Sequence, residues 1–259
     1  MSFNKPFFSI VTPFYNANEY IEKFIIKLKE QTYTNWECLL IDDYSTDLSE
    51  RLIEKLIIED ERFRFYKNKL KKDKKSPYQA RNFGLLKSKG EYISFLDIDD
   101  YWDKNMLFIK YNLLSKDNTI DLIFTDYKRI YPNNKTKYVS PIKFINYKTQ
   151  LKIHNPIGML TSTIKNTLIR EHKFKNIYHE DFVFWSEIIN NNPKIRIKNI
   201  PLPLAFYRIS KNSLSSKKFV AFLWHYQCYR LIGYSRFFSL LGMIPLLLIK
   251  IYIWFLKNN

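Results

Sequence analysis

Short apolar segments alternate with longer segments of helical periodicity through the first half of the chain, and this alternation constrains the fold more than any other feature. The short, β-rich segments are 7–12, 37–41, 62–66, 92–96 and 120–125. Between them, apolar residues recur at helical spacing in 19–31, 48–57, 77–89 and 103–114. The pattern predicts an α/β fold, with a mostly parallel central sheet covered by helices on both faces.

Polar residues cluster directly after three of the predicted strands. The segment 13–16 follows the first strand, Asp42 and Asp43 follow the second, and 97–100 follows the fourth. Open parallel sheets bind their ligands beyond the carboxyl ends of the strands. We therefore expect the three clusters to converge on one crevice.

The fourth predicted strand ends in three closely spaced carboxylates, Asp97, Asp99 and Asp100. In an extended chain, residues two apart project to the same side, so Asp97 and Asp99 face one point while Asp100 faces away. Mg²⁺ and Mn²⁺ bind carboxylate oxygens and complete their coordination with substrate phosphates. The motif predicts such a metal on Asp99 and Asp97. The alternatives are a solvated acidic turn, or Asp100 capping a helix that begins near Tyr101.

The second half of the chain is less regular. Residues 128–176 suggest strands joined by long loops, and 195–207 suggests a strand interrupted by two prolines. The acidic pair Glu180 and Asp181 precedes an apolar helix. Residues 217–259 are predicted to be helical and are strongly apolar towards their end.

Composition limits the classes of protein that the chain can represent. With 46% hydrophobic and 17% aromatic residues among 259, the chain can fill a large core, which excludes a disordered protein. Cys38 lies in an apolar segment and is predicted to be buried. Two distant cysteines give no disulfide framework and no metal-site spacing, as expected in a reducing compartment. The N-terminus lacks the basic and apolar regions of a signal peptide.

The formal net charge of +17 requires either an anionic partner or a large number of solvated lysines. Nucleic acid, anionic lipid and phosphorylated substrates are the candidate partners. The sequence has no zinc-site spacing and no RNA-binding signature, and the lysines of 67–75 lie in a predicted loop rather than on a groove-binding helix. We therefore predict no nucleic-acid partner, and a basic nucleic-acid-binding protein is kept as the alternative of another class.

Four motifs follow one another over the first hundred residues: PFYN at 13–16, DDYSTD at 42–47, ARNFG at 80–84 and GEYISFLDIDD at 90–100. In order and spacing over 7–105, the chain resembles family 2 glycosyltransferases, which have the GT-A fold. The later HED, at 179–181, is similar to the (G/H)-E-D catalytic motif of that family. The segment 207–210, followed by Ser213 and Ser215, is similar to a loop near the donor site in many relatives.

The resemblance implies that the first strands bind the nucleotide of a UDP-sugar. Pro13 and Tyr15 would line the uracil pocket, with the Tyr15 ring against the base. Asp43 would accept a hydrogen bond from the uracil N–H. The alternative role for Asp43 is helix capping, which Ser45 can provide as well.

The resemblance also implies roles around the acidic motif. Asp99 matches the main metal ligand of the family, on an Mn²⁺ or Mg²⁺ that bridges the two phosphates. Asp97 would contact the ribose or the water shell of the metal. Arg81 would steady the acidic cluster or the diphosphate, and the alternative for it is a surface cation.

Asp181 matches the general base of the family, which removes the proton of a sugar hydroxyl as that hydroxyl attacks the donor. Direct displacement with one base inverts the anomeric configuration. Glu180 is expected to orient a neighbour rather than to react, and His179 to be structural. The alternative for the acidic pair is a first helical turn favoured by the helix dipole.

The implied activity is metal-dependent, inverting transfer of a hexose, with glucose or galactose favoured, from a UDP-sugar in the cytoplasm. The implied acceptor is GlcNAc-diphosphate-undecaprenol, in O-antigen or capsule repeat-unit synthesis. The alternatives within the same fold are a glycosyltransferase of lipooligosaccharide core or teichoic acid, and a degenerate domain without activity. Intact Asp99 and Asp181 argue against the degenerate domain.

On this view, 1–216 form the GT-A domain, with a nucleotide-binding half of about 1–105 and an acceptor half of about 106–216. The segment 217–259 is predicted to lie on the cytoplasmic face of the membrane, because 237–256 is nearly long enough to span a bilayer. Its interruptions are Gly242, Pro245 and Lys250, and its expected anchors are Tyr252, Trp254, Arg230, Arg236, Lys250 and Lys257. A helix buried in the core and a true membrane span are the alternatives.

Overall fold

The computed structural model describes residues 7–68, 77–142, 145–152, 154–209, 218–242 and 244. The strands are β1 (Phe8–Phe14), β2 (Trp36–Asp42), β3 (Phe63–Lys67), β4 (Tyr92–Phe95), β5 (Tyr101–Trp102), β6 (Leu122–Ile130), β7 (Thr136–Val139), β8 (Thr163–Lys165) and β9 (Ile197–Arg208). The helices are α1 (Ile21–Lys29), α2 (Ser49–Ile57), α3 (Pro77–Lys87), α4 (Met106–Lys116), α5 (Tyr147–Gln150), α6 (Asn166–Ile169), α7 (Glu180–Asn191), α8 (Lys218–Leu231) and α9 (Arg236–Leu241).

The strands form one sheet in the order β3-β2-β1-β4-β8-β6-β9-β5, with β7 paired to β6. The first four strands, β1 to β4, pair in parallel, as the sequence predicted. Strand order reverses at β1, which lies between β2 and β4, and such a reversal opens a crevice at the carboxyl ends of the strands. The acidic motif after β4 and the polar loop after β1 therefore emerge side by side.

The second half adds mostly antiparallel strands, and β6 pairs in parallel with β9. The register between β6 and β9 shifts on both sides of Asp126, where β9 carries Pro201 and Pro203. Proline cannot donate to a ladder, so a bulge at this point is expected. The long second-half strand that the sequence predicted is thus confirmed, with its irregularity at the two prolines.

Two helix boundaries differ from the prediction. The segment after the acidic motif first forms the short strand β5, paired to β9, and α4 begins only at Met106. Asp100 therefore caps no helix near Tyr101. Helix α2 begins at Ser49, one residue later than predicted, and the Ser49 N–H donates to Asp47 Oδ1 at 3.0 Å.

Helices cover both faces of the sheet. The first face packs α1, α2 and α4 against side chains such as Phe8 and Ile10. The second packs α3, α7 and the buried residues of α8 against side chains such as Val11 and Ile93. Cys38 is fully buried, as predicted. Among the helices of the described ranges, none combines the length and apolar character needed to cross a membrane.

A close backbone approach fixes β4 beside β1. A Cβ added at Gly90 would lie 2.5 Å from the Ser9 backbone nitrogen and 2.8 Å from the Phe8 carbonyl carbon. The Gly90 N–H donates to Ser9 Oγ at 2.7 Å, and that hydroxyl donates to Glu37 Oε1 at 2.6 Å. Only glycine fits here, and the contact sets the position from which β4 carries the acidic motif into the crevice.

Lys110, on α4, is completely buried. Its Nζ donates to the Thr161 carbonyl oxygen at 2.9 Å and to Thr163 Oγ1 at 2.8 Å. Burial lowers the pKa of Lys110 from its ordinary 10.5 to about 7. The lysine thereby ties α4 to the short 3₁₀ turn Met159–Thr161, which forms one wall of the site described below.

We predict that Lys110→Met removes a pH dependence of stability. The unfolded chain keeps this lysine protonated to about pH 10, whereas the folded chain releases the proton above about pH 7. Between these values the unfolded state binds more protons, so the free energy of unfolding rises with pH in the wild type, by about 1.4 kcal/mol per pH unit from this group. Urea unfolding at pH 7, 8 and 9 measures the difference between wild type and variant.

Lys116→Met is the matched control, because Lys116 is exposed at the end of the same helix. The difference in unfolding free energy between wild type and Lys116→Met should stay flat across these pH values. An equally flat difference for Lys110→Met would contradict the buried, deprotonated lysine.

Candidate active site

The loops that follow β1 and β2 are joined by side-chain hydrogen bonds. Asn16 has a φ of 47°, in the left-handed region that asparagine tolerates. Its N–H donates to Ser45 Oγ at 2.9 Å, and its Oδ1 accepts from the Thr46 N–H at 2.8 Å. The PFYN and DDYSTD motifs therefore form one unit, because each loop satisfies the backbone groups of the other.

A cavity of about 380 Å³ opens beside this unit, and we call it the donor cavity. It is lined by six of the seven residues that the sequence assigned to the site, namely Pro13, Tyr15, Asp43, Arg81, Asp97 and Asp99. The predicted convergence of the strand-end clusters is thus present in the fold. Asp43 is buried, and its Oδ1 accepts from Asn68 Nδ2 at 3.0 Å. Asn68 directly follows β3, so this hydrogen bond holds the Asp43 carboxylate in place.

The acidic motif forms a tight turn, in which the Asp100 N–H donates to the Asp97 carbonyl oxygen at 3.0 Å. Asp97 and Asp99 both face the donor cavity. Asp100 is buried, and its Oδ1 accepts from the Arg208 N–H at 2.8 Å on β9. Asp100 therefore anchors β9 to the turn rather than capping a helix.

Burial and the charge of Asp97 raise the pKa of Asp99 to about 6. Because burial and Asp97 outweigh the nearby arginines in their effect on this pKa, the ionised Asp99 carboxylate would be stabilised by a divalent cation. Within the described residues, no three side chains of the metal-ligating types converge. Asp99 and Asp97 both line the donor cavity and would hold a cation there, with other oxygens in its remaining positions. This donor set fits Mg²⁺ or Mn²⁺, which keep water and substrate phosphate in their coordination shells.

Arg81, on α3, lies at the centre of the site and is 7% exposed. Its Nη2 donates to Asp97 Oδ1 at 2.7 Å, and its Nη1 forms an ion pair with Glu180. Burial raises the pKa of Glu180 to about 7 although Arg81 opposes the shift. One guanidinium thus joins the acidic turn after β4 to the first turn of α7.

Asp181 lies in the first turn of α7, after His179, whose φ of 57° is unusual for a residue with a side chain. This left-handed residue starts α7 without a side-chain cap. Asp181 Oδ1 accepts from the Phe182 N–H at 2.9 Å, and its Oδ2 accepts from Asn155 Nδ2 at 2.8 Å. Both oxygens of the carboxylate are therefore held in a defined orientation.

A second cavity, of about 430 Å³, contains Asp181, and we call it the acceptor-side cavity. Arg81 and Asp97 line both cavities, so the two are adjacent across the Arg81–Asp97 ion pair. The other walls are the turn 158–160 and the sheet residues Tyr127, Arg129 and Tyr207. All seven predicted site residues therefore lie around two adjoining cavities.

Sequence reasoning missed Asn155. It lies 26 residues before Asp181, in a part of the chain without strong periodicity, and its amide donates directly to the Asp181 carboxylate. Its Oδ1 accepts from the Ile157 N–H at 3.0 Å, which fixes the amide. Nothing in the sequence signals this role.

The segment 207–210, which is similar to a loop near the donor site in many relatives, is described only as far as Ile209. Ser210, Ser213 and Ser215 lie outside the described residues.

The arrangement of a parallel sheet, an acidic turn at the switch point and two adjoining cavities is that of a GT-A glycosyltransferase. Comparison with known proteins agrees. The chain belongs to glycosyl transferase family 2, because the sequence model of that family matches residues 9–178. The predicted family and fold are thereby confirmed.

The chain is similar to a UDP-Glc:α-D-GlcNAc-diphosphoundecaprenol β-1,3-glucosyltransferase of Escherichia coli, with 35% identity over 82% of this chain and 80% of the relative. Among solved structures, it is similar to S. aureus TarS in complex with UDP-GlcNAc, with a TM-score of 0.72 and 21% identity over 93% of this chain and 71% of that one. It is also similar to a mannosyltransferase of Pyrobaculum calidifontis in complex with GDP-Man and Mn²⁺, with a TM-score of 0.64 and 16% identity. That match covers 88% of this chain and 64% of the mannosyltransferase chain.

We predict that Arg81→Met lowers the free energy of unfolding by about 3 kcal/mol or more, because it leaves Glu180 buried without its cation. Adding Glu180→Gln to this variant should recover part of the loss, since the unpaired charge is then removed. Urea unfolding of Arg81→Met, Glu180→Gln and the double variant gives the coupling free energy between Arg81 and Glu180.

Lys27→Met is the control, because it breaks an exposed ion pair with Glu30 and should cost less than about 1 kcal/mol. Equal effects of Arg81→Met and Lys27→Met would show that the central ion pairs contribute no more than a surface pair.

Proposed function

We propose that the protein transfers a hexose, glucose or galactose, from a UDP-sugar to GlcNAc-diphosphate-undecaprenol with inversion at the anomeric carbon. One observation carries the proposal. The residues expected to bind the nucleotide and metal line the donor cavity, and the expected base lines the cavity that adjoins it at Arg81 and Asp97. A donor and an acceptor bound in these two spaces would meet between them.

The donor cavity has the features that a uridine diphosphate needs. Tyr15 offers a ring for the base, with Pro13 beside it, and the held carboxylate of Asp43 offers an acceptor for the uracil N–H. Asp97 and Asp99 lie in the same cavity, where the ribose and the diphosphate would follow. The presence of UDP-GlcNAc in the TarS complex supports this assignment for a related fold.

Asp99, with Asp97, would hold an Mn²⁺ or Mg²⁺ ion. When bound, the ion offsets the negative charge that develops on the departing diphosphate. Both terminal nitrogens of Arg81 are engaged by carboxylates, so its proposed part is to hold the acidic turn in position. The Mn²⁺ in the mannosyltransferase complex is consistent with this donor set.

Asp181 would act as the general base. The acceptor oxygen forms a bond to the anomeric carbon, the bond from that carbon to the UDP oxygen breaks, and the hydroxyl proton passes to the carboxylate. Asn155 and the Phe182 N–H orient the two oxygens of Asp181 and leave each with a further lone pair. Glu180 is engaged by Arg81 and would orient that cation rather than react.

The acceptor assignment rests on the Escherichia coli relative, which acts on GlcNAc-diphosphoundecaprenol. Transfer to such an acceptor would belong to assembly of a surface polysaccharide, O-antigen or capsule, at the cytoplasmic face of the membrane. A lipid acceptor and a net charge of +17 are compatible, because both the diphosphate and the surrounding headgroups are anionic.

We predict that Asp181→Asn lowers turnover by about 10²-fold or more while the affinity for the UDP-sugar is unchanged, because the amide cannot take the proton. The assay follows UDP release with a panel of UDP-sugars and a synthetic GlcNAc-diphosphate-lipid, and calorimetry measures donor binding. Near-normal turnover would place the base elsewhere.

The matched variant is Asp99→Asn, which makes the same chemical change in the donor cavity. It should weaken binding of Mn²⁺ and of the UDP-sugar together, and the wild type should lose activity in EDTA and regain it with added Mn²⁺ or Mg²⁺. Full activity in the chelator would contradict metal dependence.

We also propose that 217–259 forms a membrane-associating segment after a GT-A domain of 1–216. Helix α8 packs against that domain, where Trp224 stacks on Tyr178 at 3.6 Å between ring centroids. Helix α9 then carries exposed apolar side chains, with Phe237 69% and Leu240 61% exposed. Arg230 and Arg236 flank these side chains and are exposed too, whereas the expected anchors Lys250, Tyr252, Trp254 and Lys257 lie outside the described residues.

We predict that the protein sediments with vesicles that contain phosphatidylglycerol and is partly released by high salt, because the arginines and lysines contribute through screened attraction. The double variant Phe237→Gln/Leu240→Gln should bind at least about tenfold more weakly, since two apolar side chains no longer enter the interface.

Leu48→Gln/Ile58→Gln is the control, because these two apolar residues flank α2 and are also exposed, Leu48 to 59% and Ile58 to 82%. This variant should sediment like the wild type. A wild type that stays in the supernatant at low salt would overturn the membrane assignment.

A further inference from the structure

The sheet wall of the acceptor-side cavity carries a cation that the mechanism above does not use. Arg129 lies on β6, where it is paired in register with Tyr207 on β9. Tyr127, two residues earlier on the same strand, projects to the same side. The three side chains line the cavity that also contains Asp181.

Arg129 is incompletely satisfied. Its Nη2 donates to the Tyr127 hydroxyl at 3.1 Å, and its Nε is buried without a hydrogen-bond partner. Among the ion pairs of the described residues, none involves Arg129. A half-buried guanidinium with an unused donor is costly unless an anion completes it.

The carboxylates of the same cavity have other partners. Arg81 pairs with Asp97 and Glu180, and Asp100 accepts from the Arg208 backbone. Asp181 is held by Asn155. Of the two arginines that line this cavity, Arg81 is ion-paired and Arg129 has no ion pair among the described residues, so an anion can bind Arg129 without displacing an existing pair.

Two phosphates could in principle supply that anion, one from the donor and one from the acceptor. Arg129 lines the acceptor-side cavity and is absent from the lining of the donor cavity. The position therefore favours the acceptor. Tyr127 and Tyr207 line the same cavity, and the Arg129 guanidinium lies over the Tyr127 ring, 5.8 Å from its centroid.

We propose that Arg129 binds the phosphate attached to the anomeric carbon of the acceptor sugar, while a hydroxyl of the same sugar lies at Asp181. The inference rests on the proposed function and deepens it, because it makes Arg129 the residue that selects a phosphorylated acceptor over a neutral glycoside. A guanidinium is suited to this role, since its fork of donors matches phosphate oxygens.

The kinetic test compares two acceptors that share the sugar, a GlcNAc-diphosphate-lipid analogue and a neutral alkyl glycoside of GlcNAc. The wild type should favour the phosphorylated acceptor. Arg129→Gln should raise the KM for that acceptor about 10- to 100-fold, which is the contribution of a charged hydrogen-bonded contact. The KM for the neutral acceptor and the KM for the donor should each change by less than about twofold. Arg129→Lys should recover part of the preference.

Lys128→Gln is the matched control. It removes one positive charge from the adjacent position of β6, whose side chain projects to the other face of the strand, and Lys128 does not line the cavity. It should retain the preference of the wild type. If Arg129→Gln loses activity equally with both acceptors, Arg129 maintains the shape of the sheet wall. If it raises the KM for the donor, Arg129 binds the donor phosphates. Either result overturns the proposal.

A binding measurement separates this inference from the proposed function. Calorimetry with GlcNAc 1-phosphate and with methyl GlcNAc, in the presence of UDP and Mn²⁺, should show a preference for the phosphate that Arg129→Gln abolishes. Release of UDP from UDP-sugars without acceptor tests the donor chemistry alone. If UDP release fails but the phosphate preference depends on Arg129, the proposed function is wrong and the anion site stands. If UDP release succeeds and no Arg129-dependent preference is found, the anion site is wrong.

Discussion

The ion pairs of Arg81 organise the site. The guanidinium lies at the wall that the two cavities share, and it binds Asp97 on the acidic turn and Glu180 on α7. These two carboxylates come from motifs more than eighty residues apart, so one buried cation fixes the acidic turn relative to the first turn of α7, where Asp181 follows Glu180. Its charge also reduces the repulsion among the carboxylates that converge here.

The rest of the fold supports this contact from both sides. On the donor side, the close approach at Gly90 places β4 against β1, so the acidic turn emerges beside the PFYN loop. On the acceptor side, buried Lys110 holds the turn 159–161 beneath Asp181's cavity, and Asn155 orients the Asp181 carboxylate. Each support is a specific contact between buried or partly buried groups, which makes the geometry sensitive to single substitutions.

Much of the fold and site could be predicted because strong local signals coincide. Apolar runs with helical spacing between them determine β1 to β4 and α1 to α3, and polar residues at strand ends identify the crevice edge. The short strand β5 was missed, since two residues carry no periodicity and their pairing with β9 comes from far along the chain. Asn155 and Arg129 were missed for the same reason, because their significance lies in partners on other elements.

By itself, the amino-acid sequence determined the class of fold, the order of the motifs and the chemical types at the site, since hydrophobic periodicity and strand-end polarity are local properties of a chain. Only the tertiary structure decided which groups are paired. It shows Arg81 ion-paired with two carboxylates, Asp100 turned to the β9 backbone, and Arg129 without an ion pair among the described residues. These differences depend on contacts between residues distant in sequence and on burial, which strengthens each interaction by excluding water.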